Sequence, residues 1–252
     1  MNSSSIAING EILSWEQVMG SLQLFGKLQP FLQEVVMQYI LVTEVNSRDD
    51  LDISSTDLIQ GIMDFRVQQN LTDGDKFNEW LKKENLDNNL FQNRIMLGLK
   101  IEKLRQVIAE TQLESYFQEH QKSLEEVLLN CVVTSEKELA EQIKERLVNE
   151  NISVEELAKE FSNSEQNVRF FKQQAQRRSL SKLGQEASSL STEGELVGPV
   201  NVDKNWSILK VIEIIPAELD EKMKKQIEAQ LFSEWLVEKV RDLKVDFKPQ
   251  TS

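Results

Sequence analysis

One histidine and one cysteine set the limits on the bond-making chemistry this chain could do. His120 and Cys131 would have to meet in space to act as base and nucleophile; otherwise His120 reads as a solvated residue near a helix end. A zinc site built on the usual Cys and His spacings is excluded by the same count. The sequence has no GxGxxG, GxxxxGK[ST] or GxSxG, so dinucleotide, P-loop and hydrolase chemistry have no support. Asp73-Gly74-Asp75 resembles a calcium loop only superficially, because the glycine is misplaced and no glutamate stands at the twelfth position; it reads as a turn before a helix. With 42 Asp and Glu residues, acidic pairs are unavoidable, and none stands out by spacing for acid–base work. The expectation is a protein without metal or cofactor.

The chain has 252 residues, 40% of them hydrophobic and 28% charged, enough for one large or two modest domains with buried cores. Its net charge of −13 argues against nucleic acid and against an anionic membrane, since both reward Lys and Arg. One stretch is an exception: RFFKQQAQRRSLSK, Arg169 to Lys182, holds five basic residues and no acidic one. It reads either as a solvated face or as a contact surface for an acidic partner segment through Arg169, Lys172, Arg177, Arg178 and Lys182. The opening MNSSSIAINGEILSW has neither a charged and apolar leader pattern nor a run long enough to span a membrane. Together with the single cysteine, this predicts a cytoplasmic protein with no membrane insertion, in which the sequons at Asn70, Asn151 and Asn205 carry no meaning.

The elements that must position any site are mostly helical. Ser14-Trp15-Glu16-Gln17 has capping-box form ahead of Val18, Met19, Leu22 and Phe25 at helical spacing. Further amphipathic runs follow Pro30, Ser54, Gly74 and Asp87, and a short helix surrounds Tyr116 and Phe117. The texture then changes: Glu125 to Val133, EEVLLNCVV, reads as a buried strand. Capping boxes at Ser135 and Ser153 open two helices, a Gln- and Ser-rich stretch follows with no clear assignment, and two Val- and Ile-rich runs flank Asp203-Lys204-Asn205 as a β-hairpin. After Pro216 one long helix carries Leu219, Met223, Ile227, Leu231, Trp235 and Val240, an apolar face that needs a partner. The fold class is α+β and mostly helical: a helical domain over 1–122, a small α/β domain with an antiparallel-dominated sheet over 123–215, and a C-terminal helix over 216–252 that packs back on the first domain.

The order strand, two helices, loop, hairpin resembles the parvulin-type (PpiC-like) peptidyl-prolyl isomerase domain. The quoted match is Gly194-Glu195-Leu196-Val197-Gly198-Pro199-Val200 followed by Trp206-Ser207-Ile208-Leu209-Lys210-Val211, similar to the family's closing strands, with ELAKEFS, Glu156 to Ser162, similar to its helix ending. Asn9-Gly10-Glu11 opening a helical domain, and the returning C-terminal helix, extend the likeness to SurA- and PrsA-type foldases. The resemblance implies two core histidines, but the first falls on Asn130 or Cys131 and the second on Ser207, so neither imidazole is present. The family's loop Asp or Cys falls near Asn163 or Ser164, and its Met/Phe pocket near Leu180 and Leu183; Phe170 and Phe171 stand where paired glycines are usual.

By resemblance, then, no catalytic set is intact, and a peptide-binding set would comprise Cys131, Phe170, Phe171, Leu180 and Leu183. Asn130 and Ser207 either donate hydrogen bonds to a substrate amide or satisfy each other. The expected activity is that of a foldase or chaperone binding unfolded or extended polypeptide, with weak or lost isomerase activity. The alternative is a non-enzymatic adaptor presenting a peptide precursor to export or processing machinery.

Overall fold

The computed structural model describes residues 5–150, 152–162, 164, 166–183, 190, 192–241 and 243; the side chains of 5 and 181–183 lie outside the description. The chain divides into two compact units, Met1–Leu113 with Gln226–Ser252, and Glu114–Lys225.

The first unit opens with a hairpin of β1 (Ser5–Ile8) and β2 (Glu11–Ser14). Asn9 and Gly10 take φ of +51° and +89°, the left-handed pair that closes a tight two-residue hairpin. Ser14, the last residue of β2, also caps helix α1 (Trp15–Leu24). Its Oγ accepts from the Gln17 amide at 3.2 Å while its own amide donates to Gln17 Oε1 at 2.8 Å, the expected capping box. Helices α2 (Leu28–Asn46), α3 (Ser55–Gln68), α4 (Gly74–Lys83) and α5 (Asn88–Glu110) follow. Asp73 caps α4, accepting from the amides of Asp75 and Lys76 at 3.0 Å, so Asp73-Gly74-Asp75 is the turn before a helix that its sequence suggested.

Among the described residues, two apolar clusters of this unit stand out. Val45, Leu51 and Leu104 pack with Phe232 of the C-terminal helix α9 (Glu221–Arg241). Lys239 of α9 also meets Glu44 of α2 at 3.2 Å. The second cluster is Leu71, Phe77, Leu81 and Phe91, around which Phe65 and Trp80 add edge and tilted ring contacts at 5.2 to 5.9 Å.

The second unit begins in α6 (Leu113–Leu124) and is built on β3 (Glu126–Thr134). After β3 come α7 (Lys137–Asn149), α8 (Val154–Phe161), β4 (Val168–Gln176), a 3-10 segment (Arg177–Leu183), β5 (Leu196–Val202) and β6 (Asn205–Ile215). The sheet runs β4-β3-β6-β5, antiparallel at every neighbour. Ser153 forms its predicted capping box, but α7 starts without one: its cap is Glu136, whose amide donates to Thr134 Oγ1 at 3.3 Å. The Gln-rich stretch left unassigned in the sequence supplies β4, an edge strand.

Because β3 is covered on both sides, its pleat sorts its residues between two cores. Val127, Leu129 and Cys131 pack with Leu209, Val211, Val197, Leu180 and Leu190. Val132 and Ile208 face the other way, onto Leu139, Ile143 and Leu147 of α7 and Val154 and Leu157 of α8. At the β5–β6 edge the register shifts between Val197 and Val200, and Gly198 within that bulge has φ +113°. A Cβ there would sit 2.4 Å from the Ser207 carbonyl oxygen, so both backbone conformation and space demand glycine. Gly198→Ala is expected to destabilise the full chain by about 2 to 4 kcal/mol in urea unfolding; a loss under about 0.5 kcal/mol would show that the bulge is not needed.

Candidate functional site

The residues singled out by resemblance lie on β3, β4 and β6, and the pleat separates them. Asn130 is on the helix-covered side of β3: its Nδ2 donates to Glu155 Oε1 of α8 at 3.3 Å, and it stands opposite Lys172 and Lys210. The Glu155 carboxyl lies below its ordinary range, held there first by a backbone N–H at its own position and then by Asn130 and Lys172. Ser207 pairs with Val133, two residues from Leu209 and Cys131, which places it on the other side. Asn130 and Ser207 therefore cannot satisfy each other, and the expectation that they might is corrected by the period of two. Of the two positions open to the first family histidine, Cys131 shares a face with Ser207 and Asn130 does not.

On that face Cys131 is 1% exposed, with its Sγ 3.9 Å from Gln173 Oε1. Burial pushes its thiol up to about 11, so it is a small apolar group at neutral pH and no nucleophile. His120, by contrast, stacks on Tyr116 at 4.1 Å with Nδ1 2.9 Å from the Tyr116 carbonyl, held within its own helix. Leu180 is packed beneath the same sheet face in the cluster of Cys131, Leu129 and Leu190. Phe171, directly opposite Cys131, is 44% exposed. Phe170 points to the helices and meets Phe161 at 5.8 Å. Ser164 lies past the end of α8, its hydroxyl donating to the Phe161 carbonyl at 3.1 Å. Leu183 and Lys182 lie in the 3-10 segment with side chains outside the description, and Asn163 is outside it altogether. The structure thus joins Cys131, Phe171, Leu180 and Ser207 on one face and leaves Asn130, Phe170 and Ser164 elsewhere.

The basic stretch is also divided. Arg169 and Arg178 are exposed, and Lys172 lies 3.7 Å from Glu155. Arg177 is buried, its Nε and Nη2 donating to Glu125 Oε2 at 3.1 and 2.8 Å, so its expected role as a partner contact is corrected: it closes the sheet to the start of β3. Sequence reasoning missed Glu125 and Glu155, because carboxylates that pair across tens of residues leave no local signal. It also missed the apolar hairpin β1–β2, although Asn9-Gly10 between apolar residues was a readable sign.

Residues 108–222 match the PPIC-type PPIase domain family. The chain carries a parvulin-type domain. Its helical part has the SurA/PrsA-like fold: over 98% of this chain and 96% of the other it superposes on a peptidylprolyl isomerase, PrsA, from Bacillus cereus with TM-score 0.51 and 17% identity. A second PrsA, from Bacillus anthracis, matches at TM-score 0.45 and 19% identity over 86% of this chain and all of its own. No curated protein matches the sequence. The cytoplasmic placement is corrected by these matches, because PrsA-type proteins are extracytoplasmic chaperones. That reading leaned on the opening residues, which do not decide the compartment, and on one thiol, which suits either. Among the described residues no helix is long and apolar enough to cross a membrane.

Two measurements check this parvulin-type site. Cys131 is expected to react with a disulfide reagent at pH 7 at least about 100-fold more slowly in the native chain than in denaturant, and equal rates would contradict its burial. Glu125→Gln, which strands the buried Arg177 guanidinium, is expected to cost about 3 kcal/mol in urea unfolding, and an unchanged midpoint would show that the pair holds nothing.

Proposed function

We propose that this protein is a foldase-type chaperone that holds unfolded or extended segments of other polypeptides, apolar or Pro-containing, with weak or absent isomerase activity. The observation that carries the reading is an apolar cleft in the helical unit, about 540 Å³ and lined by Ile6, Ile8, Leu13, Val18, Leu22 and Phe25, with Ser21 and Lys27 at its margin. Of its lining, Ile6, Ile8 and Phe25 are 42, 54 and 75% exposed. A contiguous apolar surface of this kind is costly in water unless something covers it, and extended chain offers side chains at alternating positions to do so. The cleft lies between the hairpin and α1, not against α9, whose Ile227, Leu231 and Phe232 are already buried. The Bacillus cereus relative being a peptidylprolyl isomerase supports a folding role for this chain too.

Isomerisation asks for less chemistry than most reactions. The X-Pro amide has a barrier of about 18 to 20 kcal/mol and needs no proton transfer, only a dry pocket and donors that favour the twisted amide. With both imidazoles replaced, Ser207 is the polar group left at a family position on the Cys131 face. A second reading, an adaptor presenting one peptide precursor to export or processing machinery, is favoured by the exposed Arg169 but loses Arg177 from its contact surface.

Exchange NMR on a panel of X-Pro peptides, with the protein in substrate amounts, tests the isomerase half: acceleration under about twofold is expected, and tenfold acceleration would overturn the weak-or-absent assignment. Phe25→Glu, at a site already exposed, is expected to weaken binding of unfolded clients about tenfold while the thermal midpoint stays put. Unchanged client affinity would remove the cleft from the function, and affinity for a single precursor alone would favour the adaptor.

A further inference from the structure

The sheet of the parvulin-type unit has two edges, and they are built differently. β5 is blunted by Pro199, which donates no backbone hydrogen bond, and by the bulge between Val197 and Val200. β4 has neither device: it runs nine residues, Val168–Gln176, in unbroken register with β3. In an antiparallel ladder the backbone groups of alternate residues point away from the neighbour, so β4 presents a row of outward N–H and C=O groups. Among the described strands none pairs with that side. Most of the strand is solvent-exposed, Phe171 included.

Charge decides what could lie there. β4 carries Arg169 and Lys172 and no acidic residue, in a chain whose net charge is −13. Arg169 stands on the face shared with Phe171, and Lys172 on the opposite face, beside Glu155 at 3.7 Å. A second copy of β4 has no acidic residue to set against either cation, and in the registers that oppose a cation to its own copy the like charges are unfavourable. An acidic strand would be complementary at Arg169 and would share Lys172 with Glu155.

We propose that β4 is a docking edge for an extended acidic peptide segment, which adds to the sheet as a fifth strand. The recognised pattern has two acidic residues three apart, one opposite Arg169 and one opposite Lys172, with an apolar residue opposite Phe171. Main-chain hydrogen bonds supply the pairing and the two cations its selectivity. This site is separate from the apolar cleft and does not depend on the chaperone reading.

The test uses the full isotope-labelled chain and a nine-residue Thr/Val peptide with glutamates three apart. On binding, alternate β4 amides are expected to gain about tenfold or more protection from hydrogen exchange while β5 amides do not. N-methylation of one alternate set of peptide amides should abolish binding, and of the other set leave it nearly intact. The variant R169E, at an exposed position, should lower affinity about tenfold for this peptide without moving the melting point, and raise it for the lysine counterpart. No binding, protection confined to the α1 cleft, equal sensitivity to both N-methyl sets, or equal affinity for the lysine peptide would each overturn the proposal.

Discussion

The burial of β3 on both faces is the constraint from which the rest of the parvulin-type unit follows. One buried face already specifies register, and here both are buried, so a one-residue slip would exchange Leu129 and Cys131 with Asn130 and Val132 between two separate cores. The flanking strands are locked to it: β4 in continuous register, β6 with a single shift between Leu128 and Leu129. Everything on these strands inherits its side from the pleat. Cys131 and Ser207 share a face, and Asn130 is turned to Glu155, without any further choice being open to the sequence.

The same constraint explains why the buried polar groups are placed where they are. Asn130 would be an orphan under α8 were it not for Glu155, and Arg177 would be a stranded charge at the end of β4 were it not for Glu125. Both carboxylates come from the entry to an element, Glu125 just before β3 and Glu155 in the first turn of α8. A carboxylate in a helix's first turn is also favoured by the N-terminal backbone dipoles, so Glu155 can serve Asn130 and Lys172 while stabilising α8. The pairings tie the ends of elements together where apolar packing alone would leave them free to fray.

How much of this was legible depends on whether the signal was local. The helices of the first unit announced themselves through periodicity and caps, and β3, β6 and the turn at Asp203 and Lys204 through Val- and Ile-rich runs around left-handed residues. β4 was not legible, because an exposed edge strand needs no alternation and RFFKQQAQ shows none. The hairpin β1–β2 was passed over because four-residue strands are too short for a pattern, although Asn9-Gly10 marked it. The candidate positions Asn130, Cys131 and Ser207 were named correctly as strand residues, but their sides could not be read: that needs the register between β3 and β6, which is set by residues far apart in the chain.

What the register then permits bears directly on the chemistry. To stabilise a twisted amide, donors must converge on one carbonyl and one nitrogen from the same side of a dry pocket. Asn130 and Ser207 lie on opposite faces of the sheet, so no small substrate group can meet both. On the Cys131 face the thiol is a poor donor lying against Gln173, and Leu180 and Leu190 fill the space beneath. Of the two positions open to the first family histidine, only Cys131 could set a second donor on the same side as residue 207. Holding an extended chain makes no such demand for convergence: it needs apolar area that is open to solvent, and the hairpin and α1 have it in Ile12, Trp15, Leu24 and Phe25. Which polar groups can converge on one side of the sheet is in this way set by the pleat of one strand.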